Sequence, residues 1–452
     1  MTMFTIRGMH GILASSVGVT CAAALTLPLA LSAPAQARPQ AARTEPAAPG
    51  STQSLPLVPL SGDRSLGPAA PEQGLGRRSV RTFSLVGVVW DDPDTELRGR
   101  VQVRTRATGA NRWSGWQDIE THNHEHAADP DSAEGSSGRV RGSTAPLWVG
   151  DSDGVEVRVQ AQVDERATAA GESPLPRGMH LELVDPGAEP APRGALTGDG
   201  SAGAESAETY ATFATNAALA PFGATEIPAL SRAETEREAP ALRDGAPLVT
   251  PYIGERPRIV TRRGWGADES LREGGFVYTK KVKAAFVHHT ASGNNYLCSQ
   301  APSLIRSIYR YHVVSSGWRD IGYNFLVDKC GNIYEGRAGG VAKPVMGAHT
   351  LGFNNDTMGI AVLGSFGKTK PAAAAVTAIA RLTAWKLGLS GADPRGKTYL
   401  KSGGGNLYRK GKNVRLNVIS GHRDGFATEC PGRLLYGKLG SARTAAARYQ
   451  GR

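Results

Sequence analysis

Apolar and polar residues alternate with period two along the front half of this chain, and that period predicts strands. Val101-Gln102-Val103-Arg104-Thr105-Arg106 and Val155-Glu156-Val157-Arg158-Val159 show it directly, the second introduced by the turn pair Asp153-Gly154. Residues 84–90 are a more continuously apolar strand, and residues 181–184 close the series before Asp185-Pro186-Gly187. Short strands separated by turn residues predict an antiparallel, all-β sandwich-like domain over residues 79–188.

The pattern changes in the back half. Residues 284–287 are a short apolar run that ends in His288-His289-Thr290, while Leu304, Ile305, Ile308 and Tyr309 recur at helical spacing. Residues 323–327 and 333–335 flank Cys330-Gly331-Asn332 as a hairpin. Residues 359–364 read as a buried strand, 373–387 as a helix, and 414–420 as a strand ending at Gly421-His422. Strands mixed with helices predict an α/β domain over residues 256–445, with both histidine sites just past strand ends.

The remaining segments lack either period. Residues 38–78 and 189–255 are rich in Ala, Gly and Pro and predict a disordered linker and an inter-domain tether, the latter with some local helix in its Glu-rich part. Residues 1–37 combine Arg7 and His10, an almost uncharged stretch over 11–31, and Ala35-Gln36-Ala37. This predicts a secretory signal peptide cut after Ala37, and hence a secreted, extracellular or wall-associated protein. No other stretch is long enough to span a bilayer. A length of 452 residues suits two domains, and the chain is expected to be a monomer.

The net charge of +11 is unevenly spread: from Arg256 onward there are 31 Lys and Arg against 10 Asp and Glu, so the front half is acidic. A basic exported domain points to an anionic wall polymer or membrane surface, or to solubility alone; nucleic acid fits the charge but not the export signal.

Of four cysteines, Cys21 lies in the expected signal peptide, leaving Cys298, Cys330 and Cys430. An odd number outside the cell implies one pair and one thiol with another task. A catalytic zinc site asks for three protein ligands and one open position. His288 at a strand end and His422 and Cys430, eight residues apart, offer such a set, although each alone also fits a structural role. His122, His124 and His126 alternate within an acidic loop. With no cysteine or fixed carboxylate beside them they are expected to be solvated rather than metal-binding. Trp113 and Trp116 either stack on sugar rings or pack at the sheet, the second being the plainer role.

Several motifs occur in one order: Arg263-Gly264-Trp265-Gly266-Ala267, Val287-His288-His289-Thr290-Ala291, Asp320-Ile321-Gly322-Tyr323-Asn324-Phe325, Tyr334-Glu335-Gly336-Arg337, Gly347-Ala348-His349-Thr350, and Gly421-His422-Arg423-Asp424 with Thr428-Glu429-Cys430-Pro431-Gly432. This order resembles the peptidoglycan recognition proteins, which belong to the type 2 N-acetylmuramoyl-L-alanine amidases, over about Arg258 to Leu439. The resemblance implies a mixed sheet packed by helices, with Zn2+ held by His288, His422 and Cys430 at the floor of a groove. It implies hydrolysis of the amide between the muramic acid lactyl group and L-alanine of peptidoglycan, with the stem peptide and muramic acid as the recognised parts. Tyr323 is then expected to help polarise the scissile carbonyl and Thr428 to line the site. His289 is expected to orient the strand end, and His349 and Asn354 either line the peptide groove or serve the fold. Retention of Cys430 favours catalysis; a non-catalytic peptidoglycan-binding module is the alternative. Cys298 and Cys330 are left to form the disulfide, a pairing that departs from the family's animal members. The Lys- and Arg-rich residues 397–412 look like an insertion, either groove-extending or a plain surface loop.

Overall fold

The computed structural model describes residues 49–60, 72–162, 175–189, 206–242 and 252–452, all within one unit, Ala47–Arg452. The expected signal peptide lies outside the described residues. In the front half, β1 (Ser51–Pro56), β2 (Val58–Pro59), β3 (Glu72–Trp90), β4 (Gly99–Ala107), β5 (Gln117–Ile119), β6 (Gly142–Ser143), β7 (Leu147–Ala161) and β8 (His180–Asp185) form one antiparallel sheet. Its path runs β1-β8-β3-β7-β4-β5, with β2 and β6 paired to β3. Register explains the alternation: Val101 faces Val159 and Val103 faces Val157, while Arg104 faces Glu156 and pairs with it. The valines enter the core and the ion pair stays on the other surface, so a one-residue slip would invert both.

Two departures from the expected layout concern the linkers. β1 and the start of β3 lie where a disordered linker was expected, yet β1 pairs with β8 at every residue, and Leu57 and Leu75 are buried in the front core. Main-chain pairing requires no apolar run, so composition conceals it. The second departure is in the expected tether. Helices Ala207–Thr215 and Arg232–Leu242 and strand β9 (Glu226–Ile227) pack on the back domain. Helix in the Glu-rich part is as expected; its docking is not. Asn216 Nδ2 donates to both carboxylate oxygens of the buried Glu335 at 2.9 Å, and Ile227 and Ala239 enter the core.

The back domain is built on a seven-stranded mixed sheet. β10 (Ile259–Val260), β11 (Ala284–His289), β12 (Phe325–Val327), β13 (Ile333–Glu335), β14 (Thr357–Val362) and β17 (Ile419–Gly421) join β9 in the order β17-β11-β14-β12-β13-β10-β9. β11 runs parallel to both β14 and β17, and β12 and β13 make the expected hairpin. Every residue of β11 and β14 is buried, as central parallel strands covered on both faces require. One face packs Val287, Ile360 and Val362 under helices Ala373–Leu389 and Leu439–Tyr449. The other packs Leu326 and Ala361 under helix Ala301–Arg310. The stretch read as one strand over 414–420 is divided: β16 (Asn413–Asn417) pairs with β15 (Lys397–Lys401) in a separate hairpin, and β17 returns to the main sheet.

The two halves share a core. Leu85, Val89, Trp148 and Val184 of the front sheet pack with Leu304, Ile308 and Tyr311. The Tyr311 hydroxyl reaches the carbonyls of Val88 at 3.3 Å and Thr144 at 3.1 Å. Gly87 permits this approach, since a Cβ there would lie 2.3 Å from that hydroxyl. Cys298 and Cys330 form a disulfide that ties the start of helix Ala301–Arg310 to the β12–β13 turn. Among the described residues no helix is long and apolar enough to cross a membrane.

Candidate metal centre

Strand register brings the first two donors together. β11 and β17 pair as Ala285 with Ile419, Phe286 with Ser420 and Val287 with Gly421, so the next positions are His288 and His422. Alternation puts His288 on the face of Ala284 and Phe286, while His289 points to the opposite side. After His422 the chain makes a single 3-10 turn, His422–Asp424, and comes back so that Arg423 N–H donates to the Cys430 carbonyl at 3.1 Å. The Cys430 thiol, the one free cysteine among the described residues, then faces the strand end. Its Sγ lies 3.8 Å from His288 Nδ1 and accepts from the His289 backbone N–H at 3.5 Å.

A fourth donor comes from the front domain. His126 is 5% exposed, and its Nε2 lies 3.2 Å from His422 Nδ1. This corrects the expectation that His122, His124 and His126 are all solvated: His126 is inside the site. The ligand atoms of His126, His288, His422 and Cys430 lie within 4.8 Å of one another, positioned as a possible metal site. No local signal in residues 120–130 separates His126 from its neighbours. Only the placement of the front sheet on helix Ala301–Arg310 does so.

The donor set fits a tetrahedral ion of zinc's size. Bonds of about 2.0–2.1 Å to nitrogen and 2.3 Å to sulfur put ligand atoms about 3.3 Å apart for two nitrogens and about 3.6 Å for nitrogen and sulfur. The His126–His422 edge is 3.2 Å and the His288–Cys430 edge 3.8 Å, within a set whose ligand atoms all lie inside 4.8 Å of one another. Burial, followed by the neighbouring histidines, holds the imidazoles of His126, His288 and His422 well below the usual histidine range, in the neutral form that ligates. Burial likewise pushes the Cys430 thiol well up, so a nearby cation is what would favour its thiolate. The outward nitrogens, His126 Nδ1 and His422 Nε2, are buried without a hydrogen-bond partner. His288 differs: its Nε2 lies 3.2 Å from His349 Nδ1 and 3.4 Å from Thr350 Oγ1, and His349 Nε2 lies 3.4 Å from Thr357 Oγ1. Such outer contacts orient a ligating ring.

The other expected site residues surround this cluster. Tyr323 packs with its ring centroid 5.5 Å from that of His288 and 5.9 Å from that of His126, and burial raises its phenol. The Thr428 hydroxyl donates to Glu125 Oε1 at 2.6 Å and accepts from the Cys430 N–H at 3.1 Å. His349 is fully buried behind His288 rather than in an open groove. Asn354 Oδ1 accepts the backbone N–H groups of His349 and Thr350, and its Nδ2 donates at 2.9 Å to the Ala127 carbonyl and the Asp129 carboxylate. Trp116 lies between the guanidinium groups of Arg158, at 4.3 Å, and Arg104, at 4.7 Å, and Trp113 lies beside Arg77 at 5.3 Å, which is packing on the sheet surface.

Fold and site define a mixed-sheet α/β domain with a buried histidine-cysteine cluster placed as a possible metal site, preceded by an all-β domain. A family model described as N-acetylmuramoyl-L-alanine amidase matches residues 278–433, and one described as Rv3811 N-terminal galactose-binding domain-like matches residues 34–178. Peptidoglycan-recognition protein SC2 of Drosophila simulans is 33% identical over 183 residues, covering 40% of this chain and 84% of its own length. Peptidoglycan-recognition protein SC1a of Drosophila melanogaster is 30% identical over 188 residues, 42% of this chain and 87% of its own. The solved structure of peptidoglycan recognition protein-LE in complex with tracheal cytotoxin is 33% identical over 40% of this chain and 92% of that one, with a TM-score of 0.31. The chain belongs to the peptidoglycan recognition protein family of type 2 amidases. Its function is accordingly of the peptidoglycan-binding or amidase type.

Proposed function

We propose that this protein is a secreted, zinc-dependent N-acetylmuramoyl-L-alanine amidase that hydrolyses the bond between the muramic acid lactyl group and L-alanine of peptidoglycan. The observation that carries the reading is the convergence of His288, His422 and Cys430 at the ends of β11 and β17, with ligand atoms within 4.8 Å of one another. A zinc ion held there supplies Lewis acidity, which activates water and polarises an amide carbonyl. His349 and Thr350 hold the His288 ring from behind, and the His289 N–H favours negative charge on Cys430. The Tyr323 phenol, kept protonated by burial, is the donor for the oxygen of the scissile amide. Thr428 borders the same space and holds the Cys430 backbone through its hydroxyl. The basic back domain favours anionic wall polymers as a secondary partner, and the protein acts as a monomer.

The test is mass spectrometry of muropeptides from purified peptidoglycan, with zinc content measured alongside. The expected products carry a free L-alanine amino terminus and a free lactyl carboxylate. Cys430→Ser and His288→Ala are expected to abolish them and to lower bound zinc. Product formation by zinc-free protein would refute zinc dependence. Wall binding without any new amino terminus, in the zinc-loaded His126→Ala variant as well as in the wild type, would leave a binding module.

A further inference from the structure

We propose that the front domain holds the amidase latent: His126 takes the coordination position that a catalytic metal keeps for water, and the loop carrying it plugs the substrate groove. The inference rests on the zinc amidase reading but concerns its control. A closed set of four protein ligands is the mark of a structural zinc site, whereas a hydrolytic site has three and an open position. This chain presents four, all buried, and three of them come from the amidase domain alone.

The plug is more than one side chain. Residues 120–141 contain no helix or strand, so the loop is held by what it touches. Glu125 accepts the Thr428 hydroxyl, and its carbonyl accepts the Leu351 N–H at 3.0 Å. Asp129 accepts the Gly352 N–H at 2.7 Å and the Asn354 amide at 2.9 Å. Glu134 makes a two-pronged pair with Arg337, at 2.7 and 3.0 Å, and accepts the Arg319 N–H at 3.1 Å. Two of these contacts occupy Thr428 and Asn354, which were expected to line the site, and Tyr323 is only 4% exposed. While the loop is seated a scissile carbonyl cannot reach the cluster past them, so the wild type turns over only in the fraction of molecules whose loop has moved.

Release does not require the two halves to separate. Their shared core around Leu85, Trp148 and Tyr311 fixes the front sheet, so the moving part is the loop. Behind it lies a cavity of about 170 Å³ lined by Trp90, Asn123, His124, His126 and Trp318. An engineered cavity of about 150 Å³ holds benzene, so this one has room for an imidazole ring that swings off the metal.

The full-length protein with cobalt(II) in place of zinc separates the outcomes. In the wild type, azide is expected to leave the visible cobalt bands unchanged, because no coordination position is free. In His126→Ala it is expected to shift them, and the zinc form of that variant is expected to release stem peptide at least tenfold faster than the wild type. Asp129→Ala keeps all four ligands and loosens only the loop; it is expected to gain several-fold in release. A wild-type cobalt spectrum that responds to azide as strongly as that of His126→Ala would overturn the proposal, as would equal release by all three proteins. If no protein releases peptide although each holds one metal, the amidase reading fails, and the azide response still decides whether His126 closes the site.

Discussion

His288 is the fifth residue of a strand buried at all six positions, whereas His126 sits in a stretch with neither strand nor helix. Both imidazoles arrive at the same point, but different forces hold them. His288 and His422 are positioned by parallel register within one sheet, and moving either means breaking the ladder between β11 and β17. His126 is positioned by a handful of side-chain pairs across a domain boundary. A donor fixed by the core suits permanent metal binding, and a donor fixed by a loop suits a position that must be vacated. Under the zinc reading proposed above, the contrast gives the two kinds of donor different jobs.

Three measurements would break or sharpen this contrast. The largest effect is expected at the loop's buried ion pair. Arg337 and Glu134 have side chains 5% and 4% exposed, so Glu134→Ala leaves a guanidinium buried without its partner. Losing one partner of such a pair typically removes about 3–5 kcal/mol, read here as a lower urea midpoint. A loss below about 0.5 kcal/mol, the usual range for surface substitutions, would mean the loop is not anchored there.

The core side of the contrast is tested at His349. Substitution by Ala removes the group behind His288 Nε2 while leaving the four donors in place. Metal affinity is expected to fall about 10–100-fold, measured by competition with a chromophoric chelator. Unchanged affinity would mean that sheet register alone orients His288.

The smallest effect concerns acid stability. His312 packs against the rings of Trp318 and Tyr323, and its Nδ1 accepts the Gly322 N–H at 3.3 Å. Burial, with a smaller contribution from Arg337, pushes it down to about 3 from the usual 6.5. The unfolded chain therefore takes a proton near pH 6.5 that the folded chain refuses until about 3, so stability is lost as pH falls through that window. His312→Asn retains an acceptor for Gly322 and is expected to show a shallower decline between pH 6.5 and 4 in urea melts. An unchanged slope would place the acid sensitivity in the other buried histidines.

The legibility of the molecule follows the same division. β11 was visible as an apolar run ending in a histidine pair, and helix Ala301–Arg310 as a spacing of Leu304, Ile305 and Ile308. Those signals exist because burial on one or both faces imposes a period on the sequence. β1 had no such signal, since it is half-exposed and held by main-chain bonds to β8. The break between β16 and β17 at Val418 was hidden for a related reason: both strands are apolar enough to read as one, and only their partners differ.

By itself the sequence determined the back domain's α/β class and its family, and it pointed to His288, His422 and Cys430, because periodicity and ordered motifs are local or family-wide properties. Only the tertiary structure decided that the front sheet docks on helix Ala301–Arg310 and carries His126 into the centre. The physical reason is that a ligand is defined by where its nitrogen lies relative to other donors. For His126 that position is set by packing between residues nearly 300 apart in the chain, as the 296-residue separation from His422 attests.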